Sequence, residues 1–415
     1  MKKVTIVGMG LSARDVTAEQ LDVIRSANIL MGGRRHLDQF GDLPMRKQAI
    51  TARIDETMAF IRAQRENARI VVLASGDPLF YGIGARIARE LGPDQVVILP
   101  NITSIAAAFA RIGRPWSDAA VVSLHGRDRK YRLLEEAKRN KTVAVLTDTR
   151  HSPRWLAQWL LGKGVNPAAM TVFEKMGSAE EALHRCTLQQ AAQMDFAQPN
   201  VVILQREPGN APADDLTLGM DDDAYRHENG LITKMEVRAV TLAKLRLKPG
   251  LTLWDLGAGS GSVGIEASVL IGAGRIVAVE KRAARLAQIR ENAERYGVYN
   301  LDAVQCALPE GLSELPAPDR IFIGGGGREL AAIIAAGARN LRPDGVMVIN
   351  TVLADNLCRA LDALEGAGMS TEVVQLQVSR SKAMPWSRRF EAQNPVWIIS
   401  GGRLSSKKES EKTQP

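Results

Sequence analysis

A glycine-rich run follows an apolar stretch in the second half of the chain, within LWDLGAGSGSVGIEAS. Gly257, Gly259 and Gly261 lack a Cβ atom, so the backbone there can adopt positive φ and approach a bound molecule closely. The amides that open the following helix can then meet the amino-acid or phosphate part of a ligand. Glu280 ends the next strand, 23 residues after Gly257, where a carboxylate can accept both hydroxyls of an adenosine ribose.

Two cofactors fit this pattern, because NAD and S-adenosylmethionine (SAM) both bind to a strand, a glycine turn, a helix and an acidic strand end. Asp255 favours SAM, since it precedes the glycines, where a carboxylate can reach a ligand's ammonium group. The GxGxG run also lacks the continuation of a nicotinamide-binding domain. An oxidoreductase would depend on the glycine run alone, and a plain turn from strand to helix is the other alternative. We therefore predict a SAM-dependent methyltransferase.

The strand expected at 320–323 narrows the target of methylation. Methylases that act on amino groups of nucleic acids or proteins commonly carry an Asn/Asp-Pro-Pro-Tyr signature there, but this chain reads DRIFIGGGGREL. Gly324 and Gly325, with the two glycines that follow, predict an open floor suited to a large flat ligand, and a flexible loop is the other interpretation. A nucleic-acid methylase fits the pI of about 9.5, but the missing signature and the aromatic content of 5% disfavour it.

A second group of candidate residues follows three expected strands in the first 105 residues. VTIVGMG ends a strand in glycines, ASGDPLFYGIG turns directly after a strand, and PNITSIAAAFARIG offers natural caps at a helix start. A glycine pair alone is more often a plain turn, but loops after neighbouring strands can converge on one cleft. The candidates are Gly8, Gly10, Gly76, Asp77, Thr103 and Ser104.

Basic residues cluster in two runs, HGRDRKYR and SRSKAMPWSRR, and the formal net charge of +8 favours an acidic partner. Charge alone does not choose among nucleic acid, a membrane surface and a polycarboxylate. Arginine forks are suited to clamp carboxylates, and a solvated surface charge is the alternative for each residue. The candidate clamps are Arg127, Arg129, Arg380 and Arg388. No histidine is assigned a catalytic role.

These residues must be positioned by at least two folded domains, because 415 residues exceed one ordinary core. Short β-branched runs alternate with turns and helical stretches in 1–205, and again in 230–403, which predicts α/β folds. The Pro-, Gly- and Asp-rich run 206–229 is predicted as a linker, and 404–415 as a disordered polar tail. The expected strands are 4–7, 70–74, 96–99, 120–124, 143–146, 171–173, 201–204, 252–256, 275–279, 320–323, 345–350 and an antiparallel edge at 396–400.

Composition excludes several other classes of protein. The content of 45% hydrophobic and 24% charged residues is typical of a globular protein. No stretch reaches the roughly 20 consecutive apolar residues of a membrane span, and the N-terminus lacks the pattern of a signal peptide. We therefore expect a cytoplasmic protein. Three widely spaced cysteines without a CxxC or Cys/His cluster predict neither disulfides nor a metal site.

Several blocks of 229–401 resemble one family in their order and spacing: GLITKMEVRAVTLAKLRLKPG, WDLGAGSGSVGIEAS, AVEKRAARLAQIRENAERYG, ALPEGL, FIGGGG and NPVWIIS. The second domain thereby resembles the CbiT-type methylases of cobalamin biosynthesis, which implies a class I Rossmann-like SAM methyltransferase fold. By position, the resemblance places SAM contacts on Thr233, Gly257, Ala258, Gly259, Ser260, Gly261, Glu280 and Ala307.

Residues 1–205 resemble the tetrapyrrole methylase family in their glycine, GDP and Asn-x-Thr-Ser elements, and most of all its CbiE-type members. This resemblance implies two α/β subdomains with SAM bound between them. The family's proline-rich N-terminal loop is altered here to GMGLSARDVT. The order of the two modules is that of the two-domain, decarboxylating precorrin C5,15-methyltransferases.

Together the resemblances imply SAM-dependent methylation of precorrin-6Y or -6B at two meso carbons, 5 and 15, with decarboxylation of an acetate side chain to give precorrin-8. They imply two SAM sites, one per domain, and a polycarboxylate substrate that would account for the positive charge. We expect no nucleic-acid or membrane partner, and both families suggest homo-oligomers. A tetrapyrrole-binding scaffold without turnover is the alternative from another class.

Overall fold

The computed structural model describes residues 2–51, 53–126, 128–165, 169–206, 215–228 and 230–403. These residues divide into two compact units. Unit 1 comprises the described residues within 1–129, 140–161 and 166–207, and unit 2 those within 130–139, 162–165 and 208–403. Among the described helices, none is both long and apolar enough to cross a bilayer.

The first half of unit 1 is a parallel sheet covered by helices on both faces. Its strands are β1 (Val4–Gly8), β2 (Ile29–Gly32), β3 (Arg46–Ala49), β4 (Ile70–Ala74) and β5 (Val96–Leu99), and its helices are α1 (Ala18–Arg25), α2 (Arg34–Asp38), α3 (Ile54–Gln64), α4 (Ile83–Leu91) and α5 (Ser104–Arg111). The strand order is β3-β2-β4-β1-β5. Alternate residues of β1 enter different cores: Ile6 packs with Met58 and Ile61 of α3, whereas Val7 packs with Ile24 of α1.

The second half of unit 1 is a mixed sheet in the strand order β6-β7-β10-β8-β9. These strands are β6 (Ala120–Ser123), β7 (Thr142–Leu146), β8 (Ala169–Glu174), β9 (Ala182–Cys186) and β10 (Asn200–Gln205); α6 (Lys130–Arg139) belongs to unit 2, and α7 (Pro153–Gly162) and α8 (Leu188–Ala191) follow. Ile105 and Phe109 of α5 pack on this sheet against Ala144 and Phe173. The two α/β subdomains that the resemblance implies are therefore both present.

Unit 2 contains a seven-stranded sheet in the strand order β13-β12-β11-β14-β15-β19-β16. The strands of this sheet are β11 (Thr252–Leu256), β12 (Arg275–Glu280), β13 (Leu301–Gln305), β14 (Arg320–Ile323), β15 (Val346–Thr351), β16 (Met369–Leu376) and β19 (Val396–Arg403). A separate hairpin is formed by β17 (Ser379–Ala383) and β18 (Arg388–Ala392), and the helices are α9 (Met235–Leu245), α10 (Ser262–Ile271), α11 (Ala283–Arg295), α12 (Leu330–Asn340) and α13 (Ala354–Gly366). Strands β11 to β15 are parallel, and β19 is antiparallel to both its neighbours, as expected. The expected edge position of 396–400 is wrong, because β16 pairs with the outer side of β19 and forms the edge of the sheet. This is the Rossmann-like sheet that the resemblance implies.

The structure differs from the sequence-based expectations at short or polar strands and in the predicted linker. Strand β3 reads RKQA and lies at a sheet edge, so it carries no hydrophobic pattern that predicts it. The described part of the linker, 215–228, packs onto unit 2: Tyr225 is 3% exposed and lies in that unit's core. A few apolar residues among many turn formers are enough to dock this segment, although they show no periodicity.

Candidate active sites

Two glycine loops of unit 2 meet where the strand order of its sheet reverses. Strands β12 and β13 extend the sheet to one side of β11, and β14 and β15 extend it to the other. Ligands of open α/β sheets bind outside the carboxyl ends of the strands at such a point. The Gly324 amide donates to the Leu256 carbonyl at 3.0 Å, and the Gly325 nitrogen lies 3.8 Å from the position of a Cβ on Gly257. The two predicted loops therefore form one surface.

The loop after β11 has the backbone that its glycines predict. Gly257, Gly259 and Gly261 adopt φ of +73°, +58° and +77°, a region that other residues rarely enter. A Cβ on Gly264 would lie 3.0 Å from a carboxylate oxygen of Asp255, so this glycine lets α10 approach β11 closely. The loop is an open cradle that ends at the start of a helix.

Glu280 lies at the end of β12 beside this cradle and is only 4% exposed. Its Oε2 accepts the Gly259 amide at 3.1 Å, and its Oε1 accepts the Arg282 amide at 3.0 Å. Each carboxylate oxygen retains a second lone pair, so acceptance of ribose hydroxyls stays compatible with these bonds. The Glu280 carboxylate therefore stabilises the loop in addition to facing the cradle, a role that the sequence pattern did not predict.

Asp255 differs from the expected contact with a ligand's ammonium group, because no part of it is exposed. Its side chain points beneath α10, where Oδ2 accepts the Gly264 amide at 3.0 Å and Oδ1 has no partner among the described residues. Burial raises the pKa of Asp255 to about 7, the nearby Glu280 charge acts in the same direction, and the Gly264 hydrogen bond opposes them. Asp255 supports the loop from below.

The remaining predicted contacts of unit 2 flank the cradle. Thr233 is half-buried just before α9, in a segment whose Leu231 carbonyl lies 4.0 Å from the position of a Cβ on Gly259. Ala307 is exposed after β13, where the Cys306 amide donates to the Glu280 carbonyl at 3.3 Å. Ala258 is half-buried and Ser260 is 3% exposed. Their contact with SAM stays a prediction.

In unit 1, loops from three neighbouring strands converge as the sequence predicts. The Gly76 amide donates to the Gly10 carbonyl at 3.2 Å, which joins the loops after β4 and β1. A Cβ on Gly76 would lie 3.4 Å from Cα of Thr103, in the loop after β5. Asn101 of the same loop donates to the Gly8 carbonyl at 3.1 Å. Asn101 was not among the residues predicted from the sequence, although it belongs to the Asn-x-Thr-Ser element.

Two side chains in these loops stabilise local turns. Thr103 caps α5, since its hydroxyl accepts the Ala106 amide at 3.0 Å, whereas Ser104 is the first helical residue rather than a cap. The Asp77 carboxylate accepts the Leu79 amide at 2.8 Å. These bonds fix the loops without a ligand.

The second subdomain of unit 1 also reaches the converging loops, at a place that the sequence analysis missed. A Cβ on Gly177, which follows β8, would lie 2.7 Å from Cβ of Leu11 in the loop after β1. Glu181 accepts the Gly177 amide at 2.7 Å. Strand β8 continues into the glycine turn of FEKMGS, and this strand-to-turn pattern was the available signal. The cleft is thus bounded by both subdomains.

Comparison with known proteins covers both units. Residues 3–192 match the tetrapyrrole (corrin/porphyrin) methylases, and residues 223–401 match the precorrin methyltransferase domain. The precorrin-6Y C(5,15)-methyltransferase (decarboxylating) of a Sinorhizobium species is 34% identical over 396 residues, which cover 94% of this chain and 92% of that protein. The chain belongs to this family.

Two further relatives each match about half of this precorrin methyltransferase, and each is named for methylation at a single carbon. A probable cobalt-precorrin-6B C(15)-methyltransferase (decarboxylating) of Pyrobaculum calidifontis is 40% identical over 187 residues, 44% of this chain and 95% of the relative. The cobalt-precorrin-7 C(5)-methyltransferase of Salmonella typhimurium is 36% identical over 201 residues, 48% of this chain and 98% of the relative.

The candidate arginine clamps of this methyltransferase occupy unlike surroundings. Arg129 and Arg388 are exposed, and Arg127 lies outside the described residues. Arg380 is already paired: its guanidinium donates to both carboxylate oxygens of Glu236, at 2.9 and 2.6 Å, and to Asp222 at 3.3 Å. The Glu236 hydrogen bonds raise the pKa of Arg380 above its usual range. A substrate carboxylate would have to compete with Glu236 for Arg380.

The hairpin β17–β18 that carries Arg380 and Arg388 presents two aromatic rings to solvent. Trp386 is 82% exposed and Phe390 is 75% exposed.

Among the described residues, no group of three or more His, Cys, Asp or Glu side chains is arranged to hold a metal ion.

Proposed function

We propose that the protein methylates carbons 5 and 15 of precorrin-6Y or -6B and decarboxylates an acetate side chain, giving precorrin-8 in cobalamin biosynthesis. One observation carries this proposal: a relative with this named activity matches 94% of the chain. Two separate loop clusters of unlike geometry within the same chain support it. SAM is the proposed methyl donor at both clusters. The family further suggests a cytoplasmic homo-oligomer without a nucleic-acid partner.

The cradle of unit 2 fits SAM in shape and chemistry. Its positive-φ glycines leave room for the ligand, and the Glu280 carboxylate is held in place by the Gly259 amide. The exposed Gly324 and Gly325 add no side chain to the neighbouring surface, where the flat macrocycle would lie. SAM supplies an electrophilic methyl group when bound, and the protein aligns the acceptor carbon with it and excludes water.

We assign methylation at carbon 5 to unit 1 and methylation at carbon 15, with decarboxylation, to unit 2. The assignment rests on the resemblance of 1–205 to CbiE-type methylases and of 229–401 to CbiT-type methylases. Separate relatives named for the C(5) and the C(15) activity, which match 48% and 44% of the chain, support a division into two modules. In each methylation a carbon–carbon bond forms as the sulfur–methyl bond breaks, and the proton of the meso carbon leaves. In decarboxylation the macrocycle accepts the electron pair left by carbon dioxide, and a proton then takes the place of the carboxyl group.

The positive charge of the protein fits a polycarboxylate substrate. Arg129 and Arg388 are exposed and available to bind carboxylates. Arg380 is proposed to act differently from the sequence-based expectation, by holding the hairpin against α9 through Glu236.

The proposal is tested by mass spectrometry on the full chain with SAM and a precorrin-6 substrate. We expect a product with two additional methyl groups and one carbon dioxide fewer, and no such product when SAM is left out. Tight binding of the tetrapyrrole without any change in mass would contradict the proposal and support a scaffold.

A further inference from the structure

A segment of unit 2 lies across the glycine loop and is fastened to it by a buried amide. We name residues 219–228 and 230–234 the strap. Its Leu231 carbonyl lies beside Gly259, as described above. Asn292 of α11 is 1% exposed, and its Nδ2 donates at 3.0 Å both to the Ser260 carbonyl of the loop and to the Arg226 carbonyl of the strap. Its Oδ1 accepts the Arg226 amide at 2.8 Å. One side chain therefore holds loop and strap together.

A buried carboxylate fastens the strap to the helix that the glycine loop opens. Glu266 of α10 is fully buried and accepts four hydrogen bonds. Three come from the strap: the amides of Gly219 and Met220, at 2.9 and 3.1 Å, and the hydroxyl of Tyr225 at 3.1 Å. The fourth comes from Nε of Arg238 at 2.6 Å. Three of these bonds end on Oε1 and one on Oε2, so both carboxylate oxygens of Glu266 are held by groups of the protein.

Arg238 of α9 completes the connection and is also fully buried. Besides Glu266, its guanidinium donates to the Thr233 carbonyl at 2.5 Å and to the Met220 carbonyl. These two carbonyls lie near opposite ends of the strap. A planar guanidinium can bond in several fixed directions at once, which a lysine ammonium cannot reproduce.

A buried ion pair adds little net stability compared with apolar residues of the same volume, because removing two charges from water is costly. Its effect here is to fix geometry. We propose that Arg238 and Glu266 are positioning residues for SAM binding in unit 2: they hold the strap so that Thr233 and Leu231 face the glycine loop. They act through the strap and touch no ligand themselves. The inference rests on the proposed function of this cradle.

The test compares Arg238→Lys with the wild-type full chain by hydrogen exchange during a titration with SAM. Peptides that cover 253–264 report the Kd at the cradle, and peptides that cover 74–84 report binding to unit 1 separately. We expect Arg238→Lys to raise the Kd at the cradle about tenfold, as loss of a hydrogen bond to a charged group would, and to leave binding at unit 1 unchanged. The Gly219 and Met220 amides should exchange faster.

Arg320→Lys is the matched control. The Arg320 guanidinium also donates to backbone carbonyls, those of Leu245 at 2.7 Å and Asp319 at 2.7 Å, but it lies at the start of β14, at the opposite end of the strands. This variant should lower stability without changing the Kd for SAM. A folded Arg238→Lys protein with the wild-type Kd would overturn the inference, and so would equal weakening by Arg320→Lys. If the wild-type cradle showed no protection by SAM, the proposed function of unit 2 would fail instead, and the inference with it.

Tyr225→Phe is a milder variant that keeps the test decisive if Arg238→Lys does not fold. It removes only the hydroxyl that donates to Glu266 and keeps the ring that packs in the core. We expect the Kd for SAM at the cradle to rise about threefold, since one neutral donor is lost. Faster exchange of the Met220 amide with an unchanged Kd would show that the strap does not position SAM.

Discussion

The two loop clusters of this chain are held together by different groups. In unit 2 two buried carboxylates support the cradle, with Asp255 beneath it and Glu280 beside it. In unit 1 the converging loops are joined mainly by backbone groups and by the Asn101 amide. The carboxylates there, Asp15 and Asp77, accept amides of their own loops.

If SAM binds at both clusters, as proposed, this difference means that one cofactor is recognised in two physical ways. A charged acceptor beside a glycine turn makes binding sensitive to the loss of a carboxylate. A cleft formed by closely packed backbones makes binding sensitive to added atoms. Variants that remove charge should therefore affect unit 2, and variants that add a Cβ should affect unit 1.

Asp255→Asn is expected to have the largest effect, and its effect is on stability. Burial raises the pKa of Asp255 from its ordinary 3.8 to about 7, so the folded state disfavours the ionised form. The resulting loss of stability is absent below about pH 4, grows as the pH rises to about 7 and is constant above that. We expect the variant to be more stable than the wild type by about 4 kcal/mol at pH 8 and equally stable at pH 4.

Denaturant unfolding at several pH values measures this difference in stability. Hydrogen exchange of unit 2 peptides serves as the readout. Asp344→Asn, at an exposed carboxylate of the same unit, is the control and should show no pH-dependent gain. A constant difference between Asp255→Asn and the wild type from pH 4 to 8 would contradict the prediction.

His36 of unit 1 should show the opposite pH dependence, with a slightly smaller effect. It is 7% exposed, and burial, assisted by the Arg35 charge, lowers the pKa of His36 from 6.5 to about 4. The folded state therefore favours the neutral ring, and its contribution to stability is lost as the pH falls from about 6.5 to 4. His36→Gln should recover about 3 kcal/mol at pH 4 and nothing at pH 8, in hydrogen exchange of unit 1 peptides. If His36→Gln lost the same stability as the wild type between pH 6.5 and 4, His36 would not be the group responsible for this pH dependence.

The sequence predicts the loops well because their signals are local. The residues of the cradle are consecutive, and the three loops of unit 1 each follow a recognisable apolar strand. The resemblance to known families added the order of the domains and the two sites. The central strands of unit 2 were also predictable, since their apolar runs are long enough to show a pattern. In unit 1 the interior strand β2 was missed, because its run of four residues is short.

Side-chain pairings were not predictable, because their partners are far apart in the chain. Arg238 and Glu266 are separated by 28 residues, and Arg226 and Asn292 by 66. Arg380 was expected to clamp substrate because its local run is basic, but its partner Glu236 lies 144 residues away. A charge pattern in one segment does not reveal which distant carboxylate neutralises it.

Gly8→Ala is expected to reduce methylation at carbon 5 about 100-fold. The added Cβ would overlap the Gly76 carbonyl oxygen and lie 2.9 Å from the Asn101 nitrogen, and both are backbone atoms that cannot turn away. Displacement of a site by about 1 Å costs about that factor. The product should carry one new methyl group and lack carbon dioxide, because unit 2 is untouched. Gly33→Ala is the control, since it has open space around it and φ of −63°. Equal loss of both methylations would refute the division of labour.

Glu280→Gln tests unit 2 as Gly8→Ala tests unit 1, and its expected effect is the smallest of the four. Glutamine keeps one oxygen for the Gly259 amide but loses the negative charge that would accept the ribose hydroxyls. Since a hydrogen bond to a charged group contributes about 1.5–3 kcal/mol, the KM for SAM in methylation at carbon 15 should rise about tenfold or more. Methylation at carbon 5 should keep its wild-type KM, because Glu280 belongs to unit 2 and the candidate carboxylate of unit 1, Asp77, is unchanged. Glu314→Gln, at an exposed carboxylate of unit 2, controls for the change in net charge. A similar rise in KM for both methylations would mean that the two sites do not recognise SAM by different means.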